Sequence, residues 1–147
     1  MQLIFTKLGG KHDELRIERD GQGSQTLACP KQGIIPHDMI HYAVETSLSH
    51  RGFFGLMADG QAATFATAGG VSEESIERLV EVFQAEMWGG RVATEAFLVT
   101  YEEACGARGH AAVPVSAEEV EAIRARLDQL TVDWSAVPTN GSLTLNL

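Results

Sequence analysis

The sequence predicts an α+β fold: a three- or four-stranded antiparallel sheet followed by four or five helices packed on one face. Three observations lead there. Before residue 30 the chain alternates apolar and polar residues in short runs divided by glycine turns. After Pro36 the apolar residues change to three-and-four spacing. Further runs of that spacing follow, each with its own start and stop signals. Alternation puts side chains on the two faces of a strand, whereas three-and-four spacing gathers them along one helix face. The 147 residues are read as one domain, 1–147. That length buries a core without disulfides or structural metal.

Residues 2–8 form the first strand, with Leu3 and Phe5 on one face. Gly9-Gly10-Lys11-His12-Asp13 then turns the chain. In the second strand, 14–20, Leu15 and Ile17 alternate with Arg16 and Glu18. Gly21-Gln22-Gly23 turns again, and 24–29 is the third strand. Successive strands joined by short turns pair antiparallel. Ile35 precedes a proline and is biased to extended backbone. Pro36 suits the first helical position, where no N–H is needed. Met39, Ile40, Ala43, Val44 and Leu48 make the buried face of this helix. A short apolar run, Leu56-Met57-Ala58, follows Gly52 and Gly55, and 60–70 reads as a small, polar loop.

Ser72 is expected to cap the next helix, with Glu73 and Glu74 in its first turn and Val71 and Ile76 as a hydrophobic staple. Ile76, Leu79, Val80, Phe83 and Met87 form its stripe, and Gly89-Gly90 stop it. Another helix covers 92–105 with Phe97, Leu98 and Tyr101 inward. Beyond Pro114, Ser116 and Glu119 match a capping box, and Val120, Ile123, Leu127 and Leu130 face the core. Trp134 covers the end of that core. Asn140-Gly141 signals a turn, and 142–147 alternates as a strand. That strand either joins the sheet or makes a hairpin with 131–137.

Composition narrows the function. A formal charge of −9 opposes binding to nucleic acid or to an anionic membrane. No stretch is apolar for the length of a membrane span. Residues 1–7 lack the basic flank and long apolar core of a signal peptide, so a cytoplasmic location is expected. Cys29 and Cys105 are then expected as reduced thiols. There is no phosphate-binding loop and no dinucleotide fingerprint, so no nucleotide cofactor is expected. Nor is there a G-x-S-x-G elbow, and no nucleophile signature surrounds Cys105 and His110.

The helix at Pro36 carries the chemistry. His37, His41 and Glu45 are four apart, so they form one polar stripe beside the apolar face. Histidines at i and i+4 present two imidazoles to one metal ion. We therefore expect His37, His41 and Glu45 as ligands of a divalent ion, zinc first. Glu45 and His37 are separated by about 12 Å of helical rise, so Glu45 either joins His41 on the ion or steadies it from behind. Any further ligand, His50, Glu102, Glu103 or His110, must come through the fold.

His37-Asp38-Met39-Ile40-His41 resembles the H-E-x-x-H motif of zinc metalloproteases, with Asp in place of Glu. The resemblance implies His37 and His41 as ligands and Asp38 as the catalytic general base. More broadly, P-H-D-x-x-H-Y-A-V-E followed by G-F-x-G is similar to a family of small uncharacterised bacterial proteins with an H-D-L-x-H-F-A-V-E-like segment. That similarity runs from the opening strands to Gly60 and implies a shared fold. HD-type phosphohydrolases are similar only in the doublets His12-Asp13 and His37-Asp38.

The competing expectation is structural. His37 and Asp38 would finish the helix N-terminus, while His41 and Glu45 form an ordinary i,i+4 polar pair. The protein would then be a non-catalytic interaction or regulatory module, acting as a homo-oligomer or with a protein partner. Phe53, Phe54, Trp88 and Trp134 are the aromatic candidates for lining a ligand pocket.

Overall fold

The computed structural model describes residues 1–31, 33–48, 54 and 70–147. Four strands, β1 (Gln2–Thr6), β2 (His12–Arg19), β3 (Gly23–Pro30) and β4 (Ser142–Asn146), form one sheet in the order β3-β2-β1-β4. Every pairing is antiparallel. Among the described residues there are four α-helices: α1 (His37–Ser47), α2 (Val71–Gly89), α3 (Thr94–Ala107) and α4 (Ala117–Ser135). The expected loop at 60–70, the apolar run at 56–58, His50 and Phe53 lie outside the described residues, apart from Gly70.

The sheet has one apolar face. Leu3 and Phe5 of β1, Leu15 and Ile17 of β2 and Cys29 of β3 are all buried. Opposite them, Glu14, Arg16 and Glu18 face away from the core, with Arg16 and Glu18 ion-paired at 3.2 Å. β4 completes the sheet rather than forming a hairpin with 131–137, which is mostly the end of α4. Leu145 pairs with Leu3 and Leu143 with Phe5, so the returning strand extends the same apolar face. The turn into β4 has Asn140 at φ 69°, a left-handed conformation that Asn tolerates better than most residues. Its N–H reaches the Lys7 carbonyl at 2.6 Å, which fixes the strand's starting register.

The helices cover that face, and α1 is the innermost. It touches both α2 and α4, and every residue from Asp38 to Val44 is buried. Tyr42 ties it to the sheet, its hydroxyl donating to the Asn146 carbonyl at 3.0 Å. Val44, Leu48, Leu79, Phe83, Phe97, Ile123 and Leu127 are all buried, as the periodicity requires. Trp134 is buried at the end of α4, under the Lys7 ammonium 4.6 Å from its ring centre. Trp88 is instead 58% exposed and lies against Gly33, whose missing Cβ would stand 2.6 Å from the indole nitrogen.

Several boundaries differ from those expected. His12 and Asp13 belong to β2 rather than to the preceding turn, because Asp13 accepts the Leu8 N–H at 2.9 Å and faces Lys31. Pro36 is the cap rather than the first helical residue, with extended ψ of 141° and its carbonyl accepting the Met39 N–H. Gly70 takes the capping position expected of Ser72, its N–H bound by the Glu73 carboxylate at 3.0 Å. α3 starts at Thr94 rather than residue 92, since Ala93 is extended. Ser116 and Glu119 do form the expected capping box, each side chain taking the other's backbone N–H. Cys29 and Cys105 are free, buried thiols. No helix among the described residues is long and apolar enough to cross a membrane.

Candidate metal centre

His37 and His41 sit one turn apart on α1, their ring centres 5.0 Å apart and their planes nearly perpendicular. The α1–α2 packing brings Glu77 of α2 against both rings. Its Oε1 lies 3.6 Å from His37 Nε2 and its Oε2 lies 3.1 Å from His41 Nε2. One ligand atom from each of His37, His41 and Glu77 falls within 4.8 Å of the others, and this group can hold a metal ion. The spacing suits a small tetrahedral ion: two ligands each about 2 Å from zinc stand about 3.3 Å apart.

The other ring nitrogens are held from behind. His37 Nδ1 is 2.9 Å from Gln84 Oε1 on α2. His41 Nδ1 is 3.4 Å from Glu45 Oε2, which also accepts the Phe54 N–H at 3.2 Å. Each imidazole thus turns Nε2 inward and Nδ1 to a supporting acceptor, the arrangement that fixes a ligating histidine's ring and tautomer. Glu45 meets His41 from the side opposite Glu77, in the steadying position rather than among the converging atoms. Asp38 faces β3, where its Oδ2 receives the Cys29 thiol at 3.4 Å. Glu102 and Glu103 are exposed on α3, and His110 faces Glu74 at 3.6 Å.

Burial of His41 opposes its charge, but hydrogen bonds that its ring donates to Glu45 and then Glu77 outweigh it and raise the imidazole to about 10. Burial would raise Glu77, but His37 and His41 hold its carboxyl well below the usual carboxylate range. Cys29 is pushed far up, first by burial and then by the Asp38 charge, so its thiolate is not available as a nucleophile.

Sequence reasoning missed Glu77 and Gln84. Only the apolar stripe of α2 drew attention, although Glu77, Glu81 and Gln84 recur at i, i+4 and i+7 and define a second, polar stripe. Such a stripe usually faces water. Here Gln84 is 8% exposed, because this side of α2 packs on α1.

Set against known proteins, the chain matches no family model, no curated protein and no solved structure. Fold and site together define an α+β domain with a two-histidine, one-carboxylate group between its two central helices.

Proposed function

We propose that this protein binds one divalent metal ion, zinc, through His37 Nε2, His41 Nε2 and the Glu77 carboxylate, and that the ion serves hydrolysis. The observation carrying this reading is the convergence of those three ligand atoms within 4.8 Å. Two imidazoles and one carboxylate leave a fourth position for water on a tetrahedral ion, the usual composition of a catalytic zinc site. An ion held there would lower the pKa of such a water and so supply a nucleophile. Glu45 and Gln84 orient the two rings. Asp38, the general base in the metalloprotease resemblance, turns its Oδ2 to the Cys29 thiol of β3. The same three ligand types suit ferrous iron, so the ion's identity is part of the test.

Elemental analysis of protein purified without a histidine tag should find about one equivalent of zinc per chain. His41→Ala and Glu77→Gln should each remove it while leaving the far-ultraviolet spectrum unchanged. Wild-type protein that takes up no stoichiometric ion, even with zinc supplied, would overturn the reading.

A second reading has its own support. The 3.1 and 3.4 Å contacts of His41 also fit a buried imidazolium between two carboxylates. In that case the cluster locks α1 to α2 and the protein acts as an interaction module without a metal.

A further inference from the structure

We infer that the cleft beside the candidate metal centre takes a small molecule bearing a cationic amine on a short apolar body. The cleft has a volume of about 510 Å³, within the range of about 300–1,000 Å³ typical of ligand pockets. It lies between the end of β3 and the α1–α2 pair, where Cys29, Pro30, His37, Asp38, Glu81 and Gln84 contribute to its wall. This inference shares His37 with the proposed metal site but does not require the ion.

Charge decides the class of ligand. Among the described residues Asp38 and Glu81 are the acids of the wall, His12 and His37 are its basic groups, and no lysine or arginine lines it. Glu81 is already matched by Arg78, which makes two 2.9 Å hydrogen bonds to its carboxylate. Among the described residues Asp38 has no such ion pair. Its Oδ2 receives a neutral thiol, and its Oδ1 has no hydrogen-bond partner among the described residues, although the residue is only 4% exposed.

A charge set just beneath a low-dielectric wall acts on what enters the cleft without touching it, because little water intervenes to screen it. An ammonium group gains from that field and a carboxylate or phosphate loses. Gln84 Nε2, likewise buried and without a hydrogen-bond partner among the described residues, adds hydrogen-bonding capacity to the wall. The apolar contribution of Ala28, Pro30 and Cys29 suits a hydrocarbon body behind the amine.

Three probes of one shape and different charge test this: benzylamine, benzyl alcohol and benzoate, titrated by amide-resolved NMR at neutral pH. Each is run on wild-type protein of measured metal content and on Glu77→Gln. In Glu77→Gln, where no ion adds its own charge, benzylamine should bind at least tenfold more tightly than benzoate, with shifts concentrated at Ala28 and Gln84. Asp38→Asn should weaken benzylamine at least fivefold and leave benzyl alcohol unchanged. If Asp38→Asn does not fold, the order of the three probes in Glu77→Gln still decides. Benzoate equal to or tighter than benzylamine in Glu77→Gln overturns the inference, as does no saturable benzylamine binding in either protein. Benzylamine binding to wild-type protein that takes up no stoichiometric ion, even with zinc supplied, leaves the inference standing and removes the metal reading. Stoichiometric metal without benzylamine binding does the reverse.

Discussion

Zinc and a proton should compete for His41, and the structure sets the pH at which they do so. A ligating imidazole must be neutral. An unperturbed histidine titrates at 6.5, so metal binding would weaken only below neutral pH, as the sequence alone suggests. Held between Glu45 and Glu77, His41 keeps its proton up to about 10 in the metal-free protein. At pH 8 that proton must be displaced before zinc can bind, a cost of about 3 kcal/mol or about a hundredfold in affinity. Zinc affinity should therefore rise about tenfold per pH unit between pH 7 and 9. Nitrogen-15 NMR of the histidine side chains gives the direct measurement. Metal-free protein at pH 8 should show the His41 imidazolium pattern, and one equivalent of zinc should convert it to a neutral, ligated ring. Glu45→Gln removes the strongest contact favouring the charge, so it should lower the His41 titration by at least about one unit. A wild-type His41 that titrates near 6.5, or that stays cationic with zinc bound, would refute this.

The same charges bear on metal-free stability. The folded value of His41 lies above its unfolded one, so its contribution is fully present below pH 6.5 and is lost as pH rises toward 10. Glu77 is depressed, so its contribution is present above pH 4.5 and is lost on acidification. Urea unfolding of chelator-treated protein should accordingly be most resistant between about pH 4.5 and 6.5, and a flat profile from 5 to 10 would contradict the ion cluster. Leu79→Ala should cost about 2–5 kcal/mol in the same assay, since Leu79 is fully buried; a neutral result would mean its helix face is misassigned. Ser116→Ala should cost about 1 kcal/mol by removing the cap of α4, and finding no loss would show the capping box to be energetically idle.

The fold was legible because its signals are local and agree with one another. Leu3 and Phe5, then Leu15 and Ile17, alternate within single strands, and Ser116 with Glu119 marks a helix start within four residues. Boundaries were less legible where the backbone answers to distant groups. His12 and Asp13 look like turn residues, yet pairing with Pro30 and Cys29 draws them into β2. Gly70 rather than Ser72 begins α2, because Glu73 supplies the capping contact from within the helix and the cap itself needs no side chain.

The site divides along the same line. His37 and His41 announce themselves because four residues of helix superpose them, and that relation survives any packing. Glu77 has no local mark, since Glu73, Glu74 and Glu81 beside it look the same in sequence. What singles it out is the height at which α2 crosses α1, and that is set by apolar contacts elsewhere. Ile40, Val44, Leu79, Val80 and Phe83 belong to one core, and their packing fixes the relative rise and rotation of the two helices. Glu77 then meets the two Nε2 atoms, and Gln84, two turns further along the same face, meets Nδ1 of His37. The geometry that makes this group fit for an ion is therefore a property of the helix pair. A core substitution such as Leu79→Ala should disturb it without touching any ligand.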